Sequence, residues 1–167
     1  MTNPTITLSA TANRPIDVAW NAFVPVALPD VFPKAKGPVP AVVKVTGQTG
    51  RWDKVGESRL VHLGDGAIVT EAITLSDPTE GAAPQNGQAR FGYRVSGFAR
   101  PFGLLTSEAN GFWTFDEVAG VTRITWRYTF TPTSFLTRPI MALVVRTFWK
   151  SYMADGLANV VRIIEET

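Results

Sequence analysis

The sequence contains no cysteine. Without a thiol, the chain cannot form a disulfide, use a thiolate nucleophile or bind a metal through sulfur. It has a single histidine, His62, and alternation along its strand turns this ring to the outer face. One outward histidine supports neither an ordinary metal site nor a Ser-His-Asp arrangement. We therefore expect no metal and no cofactor, and the sequence identifies no catalytic residue.

Long apolar runs and clustered basic runs are also missing. No stretch of about 18 apolar residues is present, and residues 1–11 lack the basic and apolar regions of a secretory signal. We therefore expect a cytoplasmic protein without stable membrane insertion. The formal net charge is only +2, with Lys and Arg dispersed along the chain, so nucleic acid is not an expected partner. The Gly64-Asp65-Gly66 turn lacks the spacing and the Lys-Ser/Thr of a phosphate loop.

Aromatic residues, in contrast, are abundant: five Trp, three Tyr and ten Phe in 167 residues. A chain of this length suits one domain, residues 1–167, with one hydrophobic core. Large flat side chains either fill such a core or line a cavity within it.

Alternation of apolar and polar residues predicts about seven strands. They cover 6–12, 41–45, 56–63, 67–75, 89–98, 111–117 and 121–131. Most are neighbours in sequence, which favours antiparallel pairing. Between the first two strands, Asn13 is a candidate helix cap, followed by a short helix up to Phe23 and a second one over 28–32.

From about residue 135 to residue 166 the period changes to 3.6, which predicts a long helix with Pro139 in its first turns. Its apolar stripe is too wide for a surface helix, so it must lie against the sheet. The order strand, two short helices, six strands and long helix is that of an α+β helix-grip fold, with a curved antiparallel sheet around the C-terminal helix.

Local segments add a family resemblance. Residues 56–63 (GESRLVHL), the Gly64-Asp65-Gly66 turn and Glu71 in 69–73 (VTEAI) occur in the order found in the START/SRPBCC superfamily. The segments 91–97, 111–115 and 122–126 and the closing helix extend the similarity over nearly the whole chain. The chain most resembles the polyketide cyclase/dehydrase and lipid-transport branch, whose members imply an internal ligand cavity.

The same stretch is similar to the plant abscisic-acid receptors. This resemblance implies that residues 64–67 form a loop at the cavity mouth and that Glu71 points into the cavity. The receptors' loop proline is missing here, and their cavity lysine has no counterpart that we can place. The resemblance therefore implies a pocket with a movable rim and gives no support for hormone signalling.

Arg59 and Glu71 share the apolar face of their strands by strict alternation, so both are expected to point inward. Inside an apolar cavity they must be paired or hydrogen-bonded. They either anchor a polar ligand group or form a structural ion pair. For Arg127 the two arguments disagree: the resemblance turns it inward, whereas the aromatic face of 122–130 turns it to solvent, which we favour.

The predicted ligand-binding residues lie on the inner faces of the strands and helix: Arg59, Val61, Val69, Glu71, Ile73, Tyr93, Val95, Trp113, Trp149, Tyr152, Met153 and Gly156. Gly64, Asp65 and Gly66 form the predicted cavity-mouth loop. Gly156 has no side chain at the centre of the helix face, which favours a hollow there.

Three functions fit these expectations. The first is a carrier or sensor for a hydrophobic or amphipathic small molecule, such as a lipid, an isoprenoid or an aromatic polyketide, acting as a monomer or homodimer. The second is a polyketide cyclase or aromatase in which Arg59, Glu71 and tyrosines polarise carbonyls and move protons. The third is an adaptor that binds another protein through an aromatic rim.

Overall fold

The computed structural model describes residues 2–79 and 81–167. It contains one seven-stranded sheet, two short helices near the N-terminus and one long helix at the C-terminus. The strands are β1 (Thr5–Ala12), β2 (Val42–Thr46), β3 (Ser58–Leu63), β4 (Ile68–Asp77), β5 (Gln88–Ser96), β6 (Thr106–Val118) and β7 (Val121–Pro132).

The sheet is antiparallel throughout, in the order β1-β7-β6-β5-β4-β3-β2. Apolar and polar residues alternate along the strands because successive side chains point to opposite faces. In β7, for example, Ile124, Trp126, Tyr128 and Phe130 are buried, whereas Arg123 and Arg127 are exposed. The helix-grip α+β fold predicted from the sequence is confirmed.

The two short helices are α1 (Ile16–Phe23) and α2 (Leu28–Val31). The prediction that Asn13 caps α1 is wrong. Pro15 occupies the N-cap position and offers no side-chain cap. Instead, the Glu117 carboxylate at the end of β6 accepts a hydrogen bond of 2.7 Å from the Ile16 amide. A strand thus satisfies one of the amides that every helix leaves free at its N-terminus.

The C-terminal helix, α3, has three continuous parts. Arg138–Val144 is α-helical, Val145–Trp149 is a π-helical segment and Lys150–Glu165 is α-helical again. Pro139 lies in the first turn, as predicted, where its missing amide hydrogen costs nothing. The helix begins at Arg138, three residues later than predicted, because residues 135–137 form a turn.

The C-terminal part of α3 packs mainly against β1, α1 and α2. Its buried side chains are Tyr152, Met153, Leu157, Val160 and Ile164. The central strands β3, β4 and β5 are not among its main neighbours. Space therefore remains between the helix and the middle of the sheet. No helix in residues 2–79 and 81–167 is both long and apolar enough to cross a bilayer.

The hydrogen bond between the Ile16 amide and Glu117 should contribute measurably to the stability of the folded protein. We expect Glu117→Ala to lower the free energy of unfolding by about 1 kcal/mol, the usual cost of losing a helix cap. The exposed Glu166, which pairs with Arg162 one helical turn away, provides the control variant Glu166→Ala, with an expected loss of about 0.5 kcal/mol or less. Denaturant unfolding of both variants measures the difference, and equal losses would contradict a capping role for Glu117.

Candidate functional site: an apolar cavity with one polar wall

A cavity of about 320 Å³ lies between the concave face of the sheet and α3. Most of its wall is apolar. The predicted ligand-binding and mouth residues that line it are Arg59, Val61, Asp65, Val69, Glu71, Tyr93, Val95, Trp113, Trp149 and Tyr152. That these residues bind a ligand remains a prediction.

Other predicted residues do not line the cavity. Ile73 and Met153 are buried in the packed part of the core. The expectation that Gly156 opens a hollow needs correction, because a Cβ atom at Gly156 would overlap the ring of Phe32. That ring stacks on Tyr152 with 4.6 Å between centroids. Gly156 therefore makes room for Phe32, and Phe32 lines the cavity in its place.

Several cavity residues were missed. The segment from α1 to β2 contributes Phe23, Val24, Val26, Leu28 and 38–40, and the β5–β6 connection contributes Phe98, Phe102 and Leu105. Apart from Phe23, which ends the helical pattern of α1, these residues lie in segments without clear periodicity, so no pattern could orient them. Trp126 and Tyr128 also line the cavity. The alternation along their strand already predicted that both side chains point inward, so it could have identified them as cavity residues.

Arg59 and Glu71 form a buried ion pair between β3 and β4. They are directly opposite each other in the strand register, and only 7% and 8% of their surfaces are exposed. Arg59 Nε donates to Glu71 Oε2 at 2.8 Å, and Arg59 Nη2 lies 2.8 Å from the same oxygen. Within the described residues, Glu71 Oε1 accepts no hydrogen bond. One carboxylate oxygen is therefore free for a further donor.

Trp52 covers the arginine from the other side. The Arg59 guanidinium carbon lies 3.8 Å from the centroid of the Trp52 ring, a cation–π contact in a desolvated setting. Trp52 has φ +68°, a backbone conformation that costs a bulky residue about 1 kcal/mol or more. The Glu57 carboxylate holds this turn by accepting hydrogen bonds from the amides of Asp53 and Lys54 at 3.0 and 3.3 Å. Glu71 and Trp52 together therefore fix the position of the Arg59 guanidinium.

Two tyrosines extend the polar wall beyond Glu71. Tyr93, Gly111 and Tyr128 occupy one row across β5, β6 and β7. A Cβ atom at Gly111 would overlap the Tyr93 phenol, so the glycine allows that ring to lie across β6. The Tyr93 and Tyr128 ring centroids are 6.2 Å apart. Within the described residues, the Tyr128 hydroxyl has no hydrogen-bond partner, whereas Tyr152 donates to the Pro40 carbonyl at 3.0 Å.

Burial controls the ionisation of this wall. It raises the pKa of Glu71 above its ordinary value of 4.5, although the charge and hydrogen bond of Arg59 act in the opposite direction. Burial also raises the pKa values of Tyr93, Tyr128 and Tyr152, and the Glu71 charge adds to each increase. The three phenols therefore remain protonated at neutral pH and can donate hydrogen bonds.

Two indoles in the cavity wall have unpaired N–H groups. Trp126 Nε1 and Trp149 Nε1 are buried and have no hydrogen-bond acceptor in the part of the chain that the structure describes. The Trp126 N–H lies near enough to the Tyr93 oxygen to oppose the increase in its pKa, but outside hydrogen-bonding geometry. Each unpaired buried donor costs about 1 to 3 kcal/mol.

The predicted mouth loop borders the cavity. Leu63 and Ala67 close a turn through their backbone groups, and Asp65 Oδ1 accepts a hydrogen bond of 2.9 Å from the Ala67 amide. Asp65 and Ala67 line the cavity, whereas Gly64 and Gly66 lie beside them in the exposed turn. Gly66 has φ +88°, which favours glycine at this position.

The predicted outward residues lie outside the site. Arg127 is exposed, with its guanidinium 5.2 Å from the Phe112 ring centroid, so the strand pattern gave the right orientation. His62 is half-buried, and its Nε2 lies 2.7 Å from Thr46 Oγ1. Within residues 2–79 and 81–167, no three His, Asp or Glu side chains are placed to hold a metal ion.

The ion pair predicts that loss of Arg59 makes the stability of the protein depend on pH. Arg59→Met leaves the Glu71 carboxylate buried without its partner, so we expect the free energy of unfolding to fall by about 3 to 5 kcal/mol at neutral pH. Loss of Arg59 removes the effects that lower the pKa of Glu71, so the folded variant holds its proton more tightly than the unfolded chain. Its stability is therefore highest below pH 4.5, the ordinary value for Glu71, and falls as the pH rises through the folded pKa. Unfolding of wild type and variant across this pH range tests the prediction. A loss of unfolding free energy that does not depend on pH would contradict it.

Comparison with known proteins supports this description of the fold. The solved structure of Ara h 8.0201 has a TM-score of 0.65 at 14% identity, over 98% of each chain. The di-domain ARO/CYC BexL from the BE-7585A biosynthetic pathway has a TM-score of 0.64 at 14% identity, over 96% of this chain and 46% of its own. Norcoclaurine synthase from Thalictrum flavum, in complex with dopamine and hydroxybenzaldehyde, has a TM-score of 0.64 at 14% identity, over 97% and 86%.

No curated protein matches the chain, and the identities above are low enough that these structures establish similarity of fold alone. The family described as polyketide cyclase / dehydrase and lipid transport matches residues 3–165. This match spans both short helices, every strand of the sheet and the C-terminal helix. The chain therefore belongs to the polyketide cyclase/dehydrase and lipid transport family.

Proposed function

We propose that the protein binds a neutral, ring-bearing amphipathic small molecule in its cavity, as a carrier or sensor in the cytoplasm. One observation carries this proposal: an apolar cavity of about 320 Å³ contains a carboxylate with one oxygen that accepts no hydrogen bond from the residues that the structure describes. Apolar walls with a few convergent polar groups are typical of small-molecule sites.

The cavity wall favours a compact apolar body. Aromatic rings in tilted or edge-on contact, including Trp126, Tyr128, Trp149 and Tyr152, form a continuous part of it. Flat rings pack well against such surfaces. The volume is near the lower end of the range for ligand pockets, which begins at about 300 Å³, so a small polyketide-like or isoprenoid ring compound fits better than a lipid with two acyl chains.

The polar wall favours a neutral hydrogen-bond donor. Arg59 and Glu71 cancel each other's charge, and Asp65 at the mouth is the other charged residue described in the lining. A ligand carboxylate would meet Glu71 without an unpaired cation to receive it. A ligand hydroxyl can donate to Glu71 Oε1 and accept from the Tyr93 or Tyr128 phenol, so it satisfies both kinds of group.

Naphthalene derivatives of nearly equal shape test this preference. We expect 2-naphthol to bind about tenfold or more tightly than 2-methylnaphthalene, because a hydrogen bond to a charged group contributes roughly 1.5 to 3 kcal/mol. We expect 2-naphthoate to bind more weakly than 2-naphthol because its carboxylate faces Glu71. Isothermal titration or competition with a fluorescent probe at neutral pH measures the three affinities.

Glu71→Gln then assigns the preference to this carboxylate. Glutamine keeps the shape of the side chain and an oxygen that can accept from Arg59, but it leaves the buried guanidinium without a counter-charge. We therefore expect the free energy of unfolding to fall by about 3 kcal/mol while 2-naphthol loses most of its advantage in the folded variant. Glu166→Gln, at an exposed carboxylate, is the matched control and should keep the full preference. Relative affinities that do not change in the folded Glu71→Gln variant would show that Glu71 is structural.

A second candidate function is ring closure of a poly-β-ketone by aldol addition and loss of water. The raised pKa of Glu71 favours it, because a general base works best when its pKa approaches the working pH. In this reaction Glu71 would accept a proton from the carbon that attacks a second carbonyl. The Tyr93 or Tyr128 phenol would donate a hydrogen bond to that carbonyl as its oxygen gains charge.

Mass spectrometry of a linear poly-β-ketone incubated with the protein tests this second function. Catalysis predicts faster loss of one water molecule per ring closed. We expect Glu71→Gln to lower kcat by about a hundredfold or more, the contribution of a positioned acid or base, and Glu166→Gln to leave it unchanged. Equal rates with and without wild-type protein would rule out the cyclase and leave the binding function untouched.

A further inference from the structure

An apolar patch is exposed where α3 begins. Phe135 and Leu136, in the turn before the helix, are 76% and 67% exposed, and Ile140 and Leu143 on its first turns are 49% and 65% exposed. Leu104, in the 3-10 turn Phe102–Leu104, is also exposed. Thr133 joins the two segments, because its hydroxyl donates to the Leu104 carbonyl at 2.6 Å and its amide to the Leu105 carbonyl at 3.0 Å. We call these five residues the apical patch.

The first part of α3 is apolar on both sides. Met141 and Val145 are buried against the protein, whereas Ile140 and Leu143 point to solvent. A helix that is apolar all round is normally covered on all sides. Clusters of exposed apolar residues of this kind mark sites of contact with proteins or membranes.

Charge distinguishes between these partners. Residues 131–154, from the end of β7 through the first part of α3, contain three basic residues and no acidic residue, and residues 97–107 contain Arg100 and no acidic residue. Among these, Arg138 lies next to the patch, in a surface pocket with Phe135, Pro139 and Ala142. Its Nε and Nη1 atoms are buried and have no hydrogen-bond partner among the described residues. A half-buried guanidinium with unpaired N–H groups next to apolar side chains matches the phosphate of an anionic lipid beside its acyl chains.

We propose that the apical patch docks the protein reversibly on an anionic phospholipid membrane. The apolar side chains enter the interface between headgroups and acyl chains, and Arg138 pairs with a lipid phosphate. The same segments line the cavity on their inner side, through Phe102, Leu105 and Val144. Docking would therefore place the membrane next to the cavity wall, where an apolar ligand could pass between the two without crossing water.

Vesicle co-sedimentation of the full chain tests docking without any cavity ligand. We expect binding to vesicles of phosphatidylcholine with phosphatidylglycerol, much weaker binding to phosphatidylcholine alone, and a decline as salt rises. Ile140→Ser and Leu143→Ser should each weaken binding about tenfold, because each removes an apolar side chain from the interface. Arg138→Gln should weaken it about fivefold, the effect expected for one basic residue at an anionic surface.

Two controls lie at the opposite end of β6 and β7. Val118 is as exposed as Phe135, at 76%, and Arg123 is exposed near the same turn, so Val118→Ser and Arg123→Gln should bind vesicles like wild type. Equal losses in the control and patch variants, or equal binding to both vesicle types, would overturn the proposal. So would a dimer in analytical ultracentrifugation that Leu143→Ser converts to monomer, since a second copy would then cover the patch. Failure of docking leaves the naphthol affinities, and with them the cavity function, unaffected.

Discussion

Incomplete contact between the C-terminal helix and the sheet determines most of what this molecule can do. The later part of α3 packs against β1, α1 and α2, and residues such as Val160 and Ile164 are fully buried there. Its earlier part contacts β7 and β1, and aromatic side chains such as Trp149 and Tyr128 form walls around an open volume between the helix and the sheet. The π-helical segment Val145–Trp149 lies between the two parts, and Trp149 at its end lines the cavity. Such segments commonly occur at functional sites.

The same lack of contact explains the chemistry of the polar wall. Charged groups inside an apolar cavity lose their hydration, so they must be compensated by the protein. Arg59 pairs with Glu71 and lies against Trp52, while Glu57 holds the turn that presents Trp52. These contacts occupy one oxygen of Glu71, and the other accepts no hydrogen bond from the described part of the chain. Because this wall has no unpaired cation and offers an acceptor beside protonated phenols, we expect it to favour hydroxyl groups over carboxylates.

Much of the fold could be predicted because it depends on periodicity. Alternation oriented Arg59, Glu71 and Arg127, and the change to a 3.6-residue period predicted α3. Contacts between distant segments could not be predicted in this way. Glu117 replaces Asn13 as the partner of the first helix because β6 ends beside it, and Phe32 fills the space at Gly156 because α2 packs on α3. Trp52 reaches Arg59 through a turn at positive φ, for which the local sequence gives no periodic signal.

A crystal structure of the protein with 2-naphthol tests whether the cavity binds a neutral ring compound through Glu71. We expect the naphthalene rings between the sheet and α3, with the hydroxyl oxygen at hydrogen-bonding distance, about 2.5 to 2.8 Å, from Glu71 Oε1 and the Arg59–Glu71 pair intact. Naphthol bound elsewhere, or a cavity filled by the protein's own side chains with the helix in full contact with the sheet, would contradict it.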